Sequence, residues 1–596
     1  MVMDRRWAQA PGCREQLVLV QETLDEVVAT NHPIRVLDRC LDLVDWGPWE
    51  RRYTGRRGQP PIHPRLMAGC ILYGLMRKIR SSRELEDATR ERVDFMWFLE
   101  RRTIDHATFA AFRKDFGKEL KDLNRQIGRL VCERYEKALL ALVLDGTRLR
   151  ADSDRHGTRT AATLDKLVAA CVAELDRKLA QLAEADERAV AEVEHVHAEE
   201  IAQLRGEVAQ LQAQVERYQK ALSVAQARDE VRQEHNGKSA SPVRVPVTDP
   251  DSQVTPNKEG GFAPNYTPAV GVDPVSRAIV FEDVLEGSDE AAVVLAAVEA
   301  VEAMSGQPLE RVLADGNFAS GANLEALESR GTTPYMPTGT ALGESNPANR
   351  PEPTEPVAPA DWERLPKHGK YLAATAFVYD AGQDCYWCPQ GHALTPVRSG
   401  HDRNGVAYTN YACPASAGCP LASQCVKDKV SVRTVRRDQY QQVREHVGRR
   451  MATEEGRAIY RQRAPIVEGV YAEIKHILGI RRFLMRGLEK VRIEWTWICT
   501  AFNLKRLLAL LAKPQTPTPP ARPVANASRT NGSWSTCGSL KRPCSHFFTV
   551  TPKQWRSNAI LYRGRPYRTP STLKPHTRHR TGITNSSTRP FAGMTS

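Results

Sequence analysis

Three acidic residues stand in segments that could build one active site. Asp145 and Asp315 each follow a short apolar run and precede a glycine, whereas Glu468 lies within the segment 467–475. Short apolar runs that end in Asp-Gly predict buried strands with an acid at their C-terminal ends, and the third segment predicts a helix. Each Asp-Gly pair taken singly is more often only a turn. Together, two strand-end aspartates and a helical glutamate predict a site for paired divalent cations and phosphoryl transfer.

A lysine at a fixed distance from the glutamate extends this pattern. Lys475 follows Glu468 by seven residues, which in an α-helix returns it to the same face about 10 Å further along the axis. A carboxylate that binds a cation and an ammonium group one or two helical turns away could together hold DNA. The cation would contact the phosphodiester, and the ammonium group would contact the backbone beside it. Glu473 is the weaker candidate for the helical acid, because five residues place it about 140° away from Glu468.

A second group of residues suggests metal binding. Five of the 13 cysteines lie close together as Cys385-x2-Cys388, followed by Cys413, Cys419 and Cys425. Two thiolates at the first spacing can share one tetrahedral zinc ion, although the later spacings are looser. Two alternatives stay open: reduced thiols without a metal, or a structural Zn²⁺ held by Cys385, Cys388 and Cys425 with Cys419 or Cys413.

The remaining elements must position these residues. Residues 16–136 have helical periodicity and few glycines, and residues 51–120 carry 16 basic and 9 acidic side chains. This favours either a helical DNA-binding domain or a helical bundle with solvated charges. The net charge of +13 does not show that residues 1–512 are basic, since residues 513–596 contain 14 Lys or Arg and no Asp or Glu.

A long polar helical segment separates the first two acids. Apolar residues recur at steps of three and four between 201 and 222, which predicts a helical hairpin or coiled coil. Strands and helices then alternate, as in an α/β core. The longest apolar stretch near the start, 66–76, has 11 residues and is too short to cross a bilayer. We therefore expect a cytoplasmic protein without membrane contact.

The chain resembles the DDE transposases of bacterial insertion sequences, in the branch with a coiled coil after the first aspartate. The resemblance covers about residues 16–512 and is carried by three segments: Leu144-Asp145-Gly146-Thr147, Ala314-Asp315-Gly316-Asn317-Phe318, and the set Tyr460, Arg463, Glu468 and Lys475. The second segment has its glycine displaced. In the third, four residues rather than three separate Arg463 from Glu468.

This resemblance implies an α/β RNase H-like core with an N-terminal all-α domain, an inserted coiled coil and a Cys-containing insertion. The implied domains are an N-terminal helical DNA-binding domain (1–137), the catalytic core in three parts (138–160, 237–344 and 441–512), a coiled-coil arm (161–236), a Pro-rich linker with the Cys-rich insertion (345–440), and a basic, disordered tail (513–596).

The resemblance also implies the chemistry. Asp145, Asp315 and Glu468 would hold two Mg²⁺ ions, and Tyr460, Arg463 and Lys475 would contact DNA. The partners would be the terminal inverted repeats of the element, target DNA and further copies of the chain. Two other functions remain open: an inactive DNA-binding remnant of a transposase, and a structure-selective RNase H-like nuclease that does not transfer strands.

Overall fold

The computed structural model describes residues 23–512, except 54–59, 192–197, 237–240, 257–259, 288, 340–345, 415–417 and 427–431. The predicted basic tail lies outside the described residues. Within the described ranges, no helix is both long and apolar enough to span a membrane.

The described helices follow the predicted periodicity over most of the chain. They are α1 (Leu24–Val27), α2 (Pro33–Leu41), α3 (Gly47–Glu50), α4 (Pro64–Met76), α5 (Ser82–Glu91), α6 (Val93–Phe98), α7 (His106–Asp115), α8 (Gly117–Cys132), α9 (Ala161–Ala191), α10 (Ala198–Asn236), α11 (Val294–Ser305), α12 (Gly321–Ser329), α13 (Ala422–Cys425), α14 (Gln441–Ala452), α15 (Glu454–Arg461), α16 (Arg463–Ala472) and α17 (Leu488–Leu511).

The strands lie between and after these helices. They are β1 (Ala141–Gly146), β2 (Leu149–Arg150), β3 (Thr158–Arg159), β4 (Val245–Pro246), β5 (Gln253–Pro256), β6 (Phe262–Val272), β7 (Ile279–Leu285), β8 (Arg311–Leu313), β9 (Thr333–Tyr335), β10 (Lys367–His368), β11 (Tyr371–Leu372), β12 (Val378–Asp380), β13 (Cys385–Trp387), β14 (Ala393–His401), β15 (Ala407–Ala412) and β16 (Thr434–Asp438).

The N-terminal region is helical, as its sequence predicts. Ser81 caps α5 by accepting from the backbone N–H of Glu84, whose side chain accepts from the Ser81 N–H in return. This reciprocal pair satisfies two donors that the first turn of a helix leaves free. Helices α4 and α8 pack on α17 near the end of the chain, so the N-terminal helices and the sheet share one hydrophobic core.

Two tryptophans of α17 belong to this core. Trp495 and Trp497 are buried, and their indole N–H groups donate to the backbone carbonyls of Ala269 and Arg113. A tryptophan that stacks on a DNA base needs an exposed ring face, and neither of these buried rings offers one. Their role is to join the N-terminal helices to the sheet.

The central sheet is mixed. Strand β1 pairs antiparallel with β6 on one side and parallel with β8 on the other, and β8 pairs parallel with β9. The long strand β6 also pairs antiparallel with β7, which gives the order β7-β6-β1-β8-β9, and β2 and β5 pair with the first half of β6. Helix α12 connects the parallel strands β8 and β9, and α11 leads from β7 into β8.

Helices α9 and α10 form the predicted hairpin between β3 and β4, which pair with each other. Lys178 on α9 pairs with Glu207 on α10 at 2.7 Å, and Arg205 on α10 pairs with Asp186 on α9 at 3.3 Å. The helices thus run along each other. The supercoiling of a coiled coil stays a prediction.

The cysteine-bearing segment has a core of its own. Strands β12 to β16 form an antiparallel meander, and the buried residues around it make a small cluster separate from the main core. After this meander, α14, α15 and α16 return the chain to the central sheet. Helix α16 does not continue as an α-helix through Lys475, because residues Glu473–Ile477 form a π-turn.

Candidate functional site

The two predicted strand-end aspartates lie side by side. Strands β1 and β8 are parallel, with Leu142 opposite Val312 and Val143 opposite Leu313. Continuing this register by two residues places Asp145 opposite Asp315 at the same edge of the sheet. The buried apolar run before each acid thus brings the two carboxylates to one edge, and their role as catalytic, metal-holding residues stays a prediction.

One arginine links the two carboxylates. An Nη2 atom of Arg463 lies 2.8 Å from Oδ1 of Asp145 and 3.4 Å from Oδ2 of Asp315. The Arg463 side chain is 14% exposed, so these ion pairs are largely shielded from water. Arg463 is the first residue of α16, directly after Gln462, which separates α16 from α15.

Burial dominates the electrostatics of Asp145. It raises the pKa of this carboxyl to about 6; Arg463 opposes the rise, and the charges of Asp315 and Glu290 add to it. The ionised form of Asp145 is therefore costly in the folded chain at neutral pH. Such a cost is typical of an acid that is held ready for a cation.

Replacing Asp145 by Asn should stabilise the fold at about pH 8 when divalent cations are removed. A pKa raised from 3.8 to about 6 lowers stability as pH rises through that window, by up to about 3 kcal/mol once Asp145 is fully ionised. The advantage of Asp145→Asn should shrink as the pH is lowered from about 7 to about 4. Urea denaturation measures it, with Asp361→Asn as a surface control. An Asn variant that is less stable at both ends of this range would contradict the assignment.

Three further hydrogen bonds connect α16 and the turn after it to the end of β1 and the residues that follow. The Tyr471 hydroxyl donates to the backbone carbonyl of Asp145 at 2.7 Å. Lys475 donates to Oγ1 of Thr147 at 2.6 Å and to the carbonyl of Arg148 at 3.3 Å. The π-turn that contains Lys475 changes the angular step, so the simple seven-residue spacing from Glu468 does not apply. Lys475 nevertheless lies beside the predicted first acid segment.

Glu468 lies on the same helix between the two residues that contact Asp145. Its side chain is exposed, unlike those of Arg463 and Tyr471. The rival acid Glu473 is committed elsewhere, because it accepts from Lys505 at 2.7 Å. No group of three or more His, Cys, Asp or Glu side chains forms a metal-binding arrangement in the part of the chain that the structure describes. The role of Glu468 as third acid stays a prediction.

Tyr460 lies near the acidic pair. Burial raises the pKa of its hydroxyl, Asp315 and Asp145 raise it further, and Arg463 lowers it. These influences indicate that the Tyr460 hydroxyl lies close enough to interact electrostatically with the acidic pair and Arg463. Its predicted contact with DNA stays a prediction.

A fourth acid, which the sequence reasoning missed, joins this site. Glu290 accepts from the side-chain amide of Asn317 at 3.0 Å, and a side chain at position 146 would collide with its carboxylate. Burial raises the pKa of Glu290, and the nearby charge of Asp315 raises it further. Strand β7 runs in the same direction as β1, with β6 between them. The residues after its C-terminal end therefore lie at the sheet edge that carries Asp145. That shared edge was the available clue.

The donor set of this site suits a hard divalent cation. Carboxylate oxygens from adjacent strand ends are the ligands that Mg²⁺ prefers. A positive charge already occupies the space between Asp145 and Asp315, in the form of the Arg463 guanidinium. In this structure the guanidinium therefore offsets part of the negative charge of the two acids.

The predicted cysteines do not all come together. Four of them line one small cavity, and we call them the four-cysteine cluster: Cys388, Cys413, Cys419 and Cys425. Cys385 is buried but does not line this cavity. Cys385, Cys388, Cys419 and Cys425 are free thiols.

Two family models match the chain. Residues 22–115 match a family described as "Transposase domain (DUF772)", and residues 387–508 match one described as "Transposase DDE domain". The first match covers the N-terminal helices through α7. The second covers most of the cysteine meander and α13 to α17, including Arg463, Glu468 and Lys475, whereas Asp145 and Asp315 lie outside both. No curated protein and no solved structure gave a significant match.

Proposed function

We propose that this chain, which both family matches support as a DDE transposase of an insertion sequence, cuts DNA at the ends of its element and joins those ends to target DNA. The observation that carries the proposal is the Asp145–Arg463–Asp315 arrangement at the edge of the sheet. The matched DDE domain supplies Arg463, while the two aspartates come from unmatched residues. Their meeting joins the matched and unmatched parts into one site.

The strand order supports an RNase H-like core. Three antiparallel strands, β7, β6 and β1, are followed across the sheet by the parallel strands β8 and β9. This order brings the ends of β1 and β8 together, with α16 packed against the first of them. An order of this kind is what an acid-bearing phosphoryl-transfer site of this class needs.

Within this proposal, Asp145, Asp315 and Glu468 hold two Mg²⁺ ions. When bound, such a pair activates an attacking water or 3′-hydroxyl and stabilises the leaving oxygen. Glu468 is exposed on the helix that also carries Arg463, so its side chain could turn toward the ions. Burial makes ionisation of the Asp145 carboxyl unfavourable, and a bound cation would offset this free-energy cost.

Arg463 has a second task in this proposal. The guanidinium between the two carboxylates offsets one of their two negative charges. If cations held the carboxylates, Arg463 could instead contact a phosphate of the DNA, for which its planar fork is well suited. Tyr460 and Lys475 flank it and would bind the same strand.

DNA cleavage and joining test the proposal directly. The purified full chain is incubated with labelled duplexes that carry the DNA flanking its coding region, with Mg²⁺ or with a chelator. We expect Mg²⁺-dependent nicking at a defined end and, for a pre-cleaved end with a free 3′-hydroxyl, joining to a plasmid. Pairing of two ends in one complex, seen in a gel shift, would support the proposed homo-oligomer.

The two alternative functions give different results in the same assays. A DNA-binding remnant would bind the duplex but neither nick nor join it with any divalent cation. A structure-selective nuclease would nick the DNA but leave the pre-cleaved end unjoined. Either result would overturn the proposal.

Replacing Lys475 by Gln should weaken DNA binding through one lost phosphate contact. The slope of log affinity against log salt concentration should fall in magnitude by about 0.9, because one counterion fewer is released. Fluorescence anisotropy at several salt concentrations measures this slope. Lys166, an exposed lysine of α9, provides the matched control as Lys166→Gln. Equal slopes for both variants would contradict a role of Lys475 in DNA binding.

A further inference from the structure

The four-cysteine cluster surrounds a cavity of single-ion size. Its four thiols line a cavity of about 20 Å³ together with apolar side chains and Arg433. This volume is close to that of one water-sized sphere. Four sulfur atoms thus face one small space.

The turn that carries Cys388 is built to support a thiolate. The backbone N–H groups of Gln390 and His392 both donate to Sγ of Cys388 at 3.3 Å. Gly391 makes this turn possible, since it has a φ of +74° and any side chain there would collide with the backbone of Thr354. Two N–H groups directed at one sulfur stabilise its negative form.

Positive charge lies next to the cluster. Arg433 lines the cavity, donates to the carbonyl of Cys425 at 3.4 Å, and has a buried Nε without a hydrogen-bond partner among the described residues. Arg350 donates to the carbonyl of Cys388 at 2.8 Å. A buried guanidinium needs a nearby negative charge. Four thiolates around a divalent ion carry a net charge of about −2, which two arginines balance.

Cys385 and the His392 ring are placed differently. Cys385 precedes the turn on β13, and its side chain does not line the cavity. His392 contributes its backbone N–H to the Cys388 sulfur, but its side chain does not line the cavity.

We infer that the four-cysteine cluster binds one structural Zn²⁺ ion and that Cys385 and His392 are not ligands. The four thiols release four protons to solvent as the four Zn–S bonds form, and no atom changes oxidation state. Among the described residues, the sulfur atoms do not yet form a group that could hold an ion. The cysteine side chains would therefore have to rotate about χ1 to reach a common ion.

The ion would fasten elements that the small core holds weakly. Cys388 lies in the turn between β13 and β14, Cys413 follows β15, and Cys419 and Cys425 flank and end α13. The hydrophobic cluster of this meander is small, and small cores commonly need a metal or disulfides. This role is independent of DNA cleavage.

The zinc content of the full chain tests this inference. We expect about one zinc per chain by elemental analysis of protein purified without chelators. Cys413→Ser and Cys419→Ser should lower the content at least about tenfold, whereas Cys385→Ser, the matched control, should leave it unchanged. Loss of zinc from Cys385→Ser equal to that from Cys413→Ser would overturn the ligand assignment.

A measurement on the unmodified chain avoids the risk that variants misfold. X-ray absorption at the zinc edge should show four sulfur neighbours at about 2.3 Å. A nitrogen in the first shell would bring in His392 and overturn the ligand set. A chain that contains no zinc and takes up none after reduction and exposure to ZnCl₂ would overturn the inference entirely.

Discussion

Replacing Glu468 by Gln should abolish DNA cleavage while leaving the fold as stable as before. We expect a rate loss of at least about 10³-fold, or about 4 kcal/mol of activation free energy, because one of three proposed metal-holding oxygen donors loses its charge. Stability should change by less than about 0.5 kcal/mol, since the side chain is exposed. Single-turnover nicking in Mg²⁺ and urea denaturation measure the two effects.

Glu473→Gln is the matched control for this experiment. It removes the same charge five residues further along the chain and breaks the 2.7 Å ion pair with Lys505 instead. We expect this control to retain nicking within about threefold and to lose up to about 1 kcal/mol of stability. If activity were lost only in Glu473→Gln, the third acid would be Glu473 in the π-turn. That result would contradict the assignment of Glu468 that the resemblance implies.

The central site shows which parts of a sequence reveal geometry. Asp145 and Asp315 were predictable because each ends a buried apolar run, and parallel strands bring their ends to one edge. Arg463 was harder to place, since the break at Gln462 between α15 and α16 hides in an otherwise helical pattern. The π-turn after Ala472 has no clear sequence pattern either.

Long-range register explains what was missed. Glu290 lies in a 3₁₀ turn that follows β7 after a short connection, and nothing local to it distinguishes it from other surface glutamates. Its place beside Asp145 follows only once the order β7-β6-β1 is known. The same limit applies to the cysteines. The Cys-x2-Cys spacing favoured Cys385 as a ligand, whereas the strand alternation in β13 directs it away from the cavity.

The acidic site contains more carboxylates than guanidinium groups. Asp145 and Asp315 pair with Arg463, and the charges of Arg148 and Arg463 both act on Glu290, so the site has one excess negative charge when all three acids are ionised. Burial makes this charge costly at neutral pH. A divalent cation should therefore raise the thermal stability of the chain, and its effect should depend on these acids.

Replacing Asp145 and Asp315 together by Asn should cost little more activity than replacing either alone. Each single variant should lose at least about 10³-fold in nicking rate. Both acids are proposed to hold the same pair of ions, so either single substitution already disables the ion site. The second substitution therefore lowers the rate little further, and the two effects are strongly non-additive. Asp361→Asn, on the surface beside Arg364, should keep full activity.

The same three variants separate a shared cation site from two independent acids. Adding Mg²⁺ should raise the melting temperature of the native chain, and neither single variant should show the full rise. If the rate losses of the single variants multiplied in the double variant, Asp145 and Asp315 would act separately, and their proximity through Arg463 would be structural rather than catalytic.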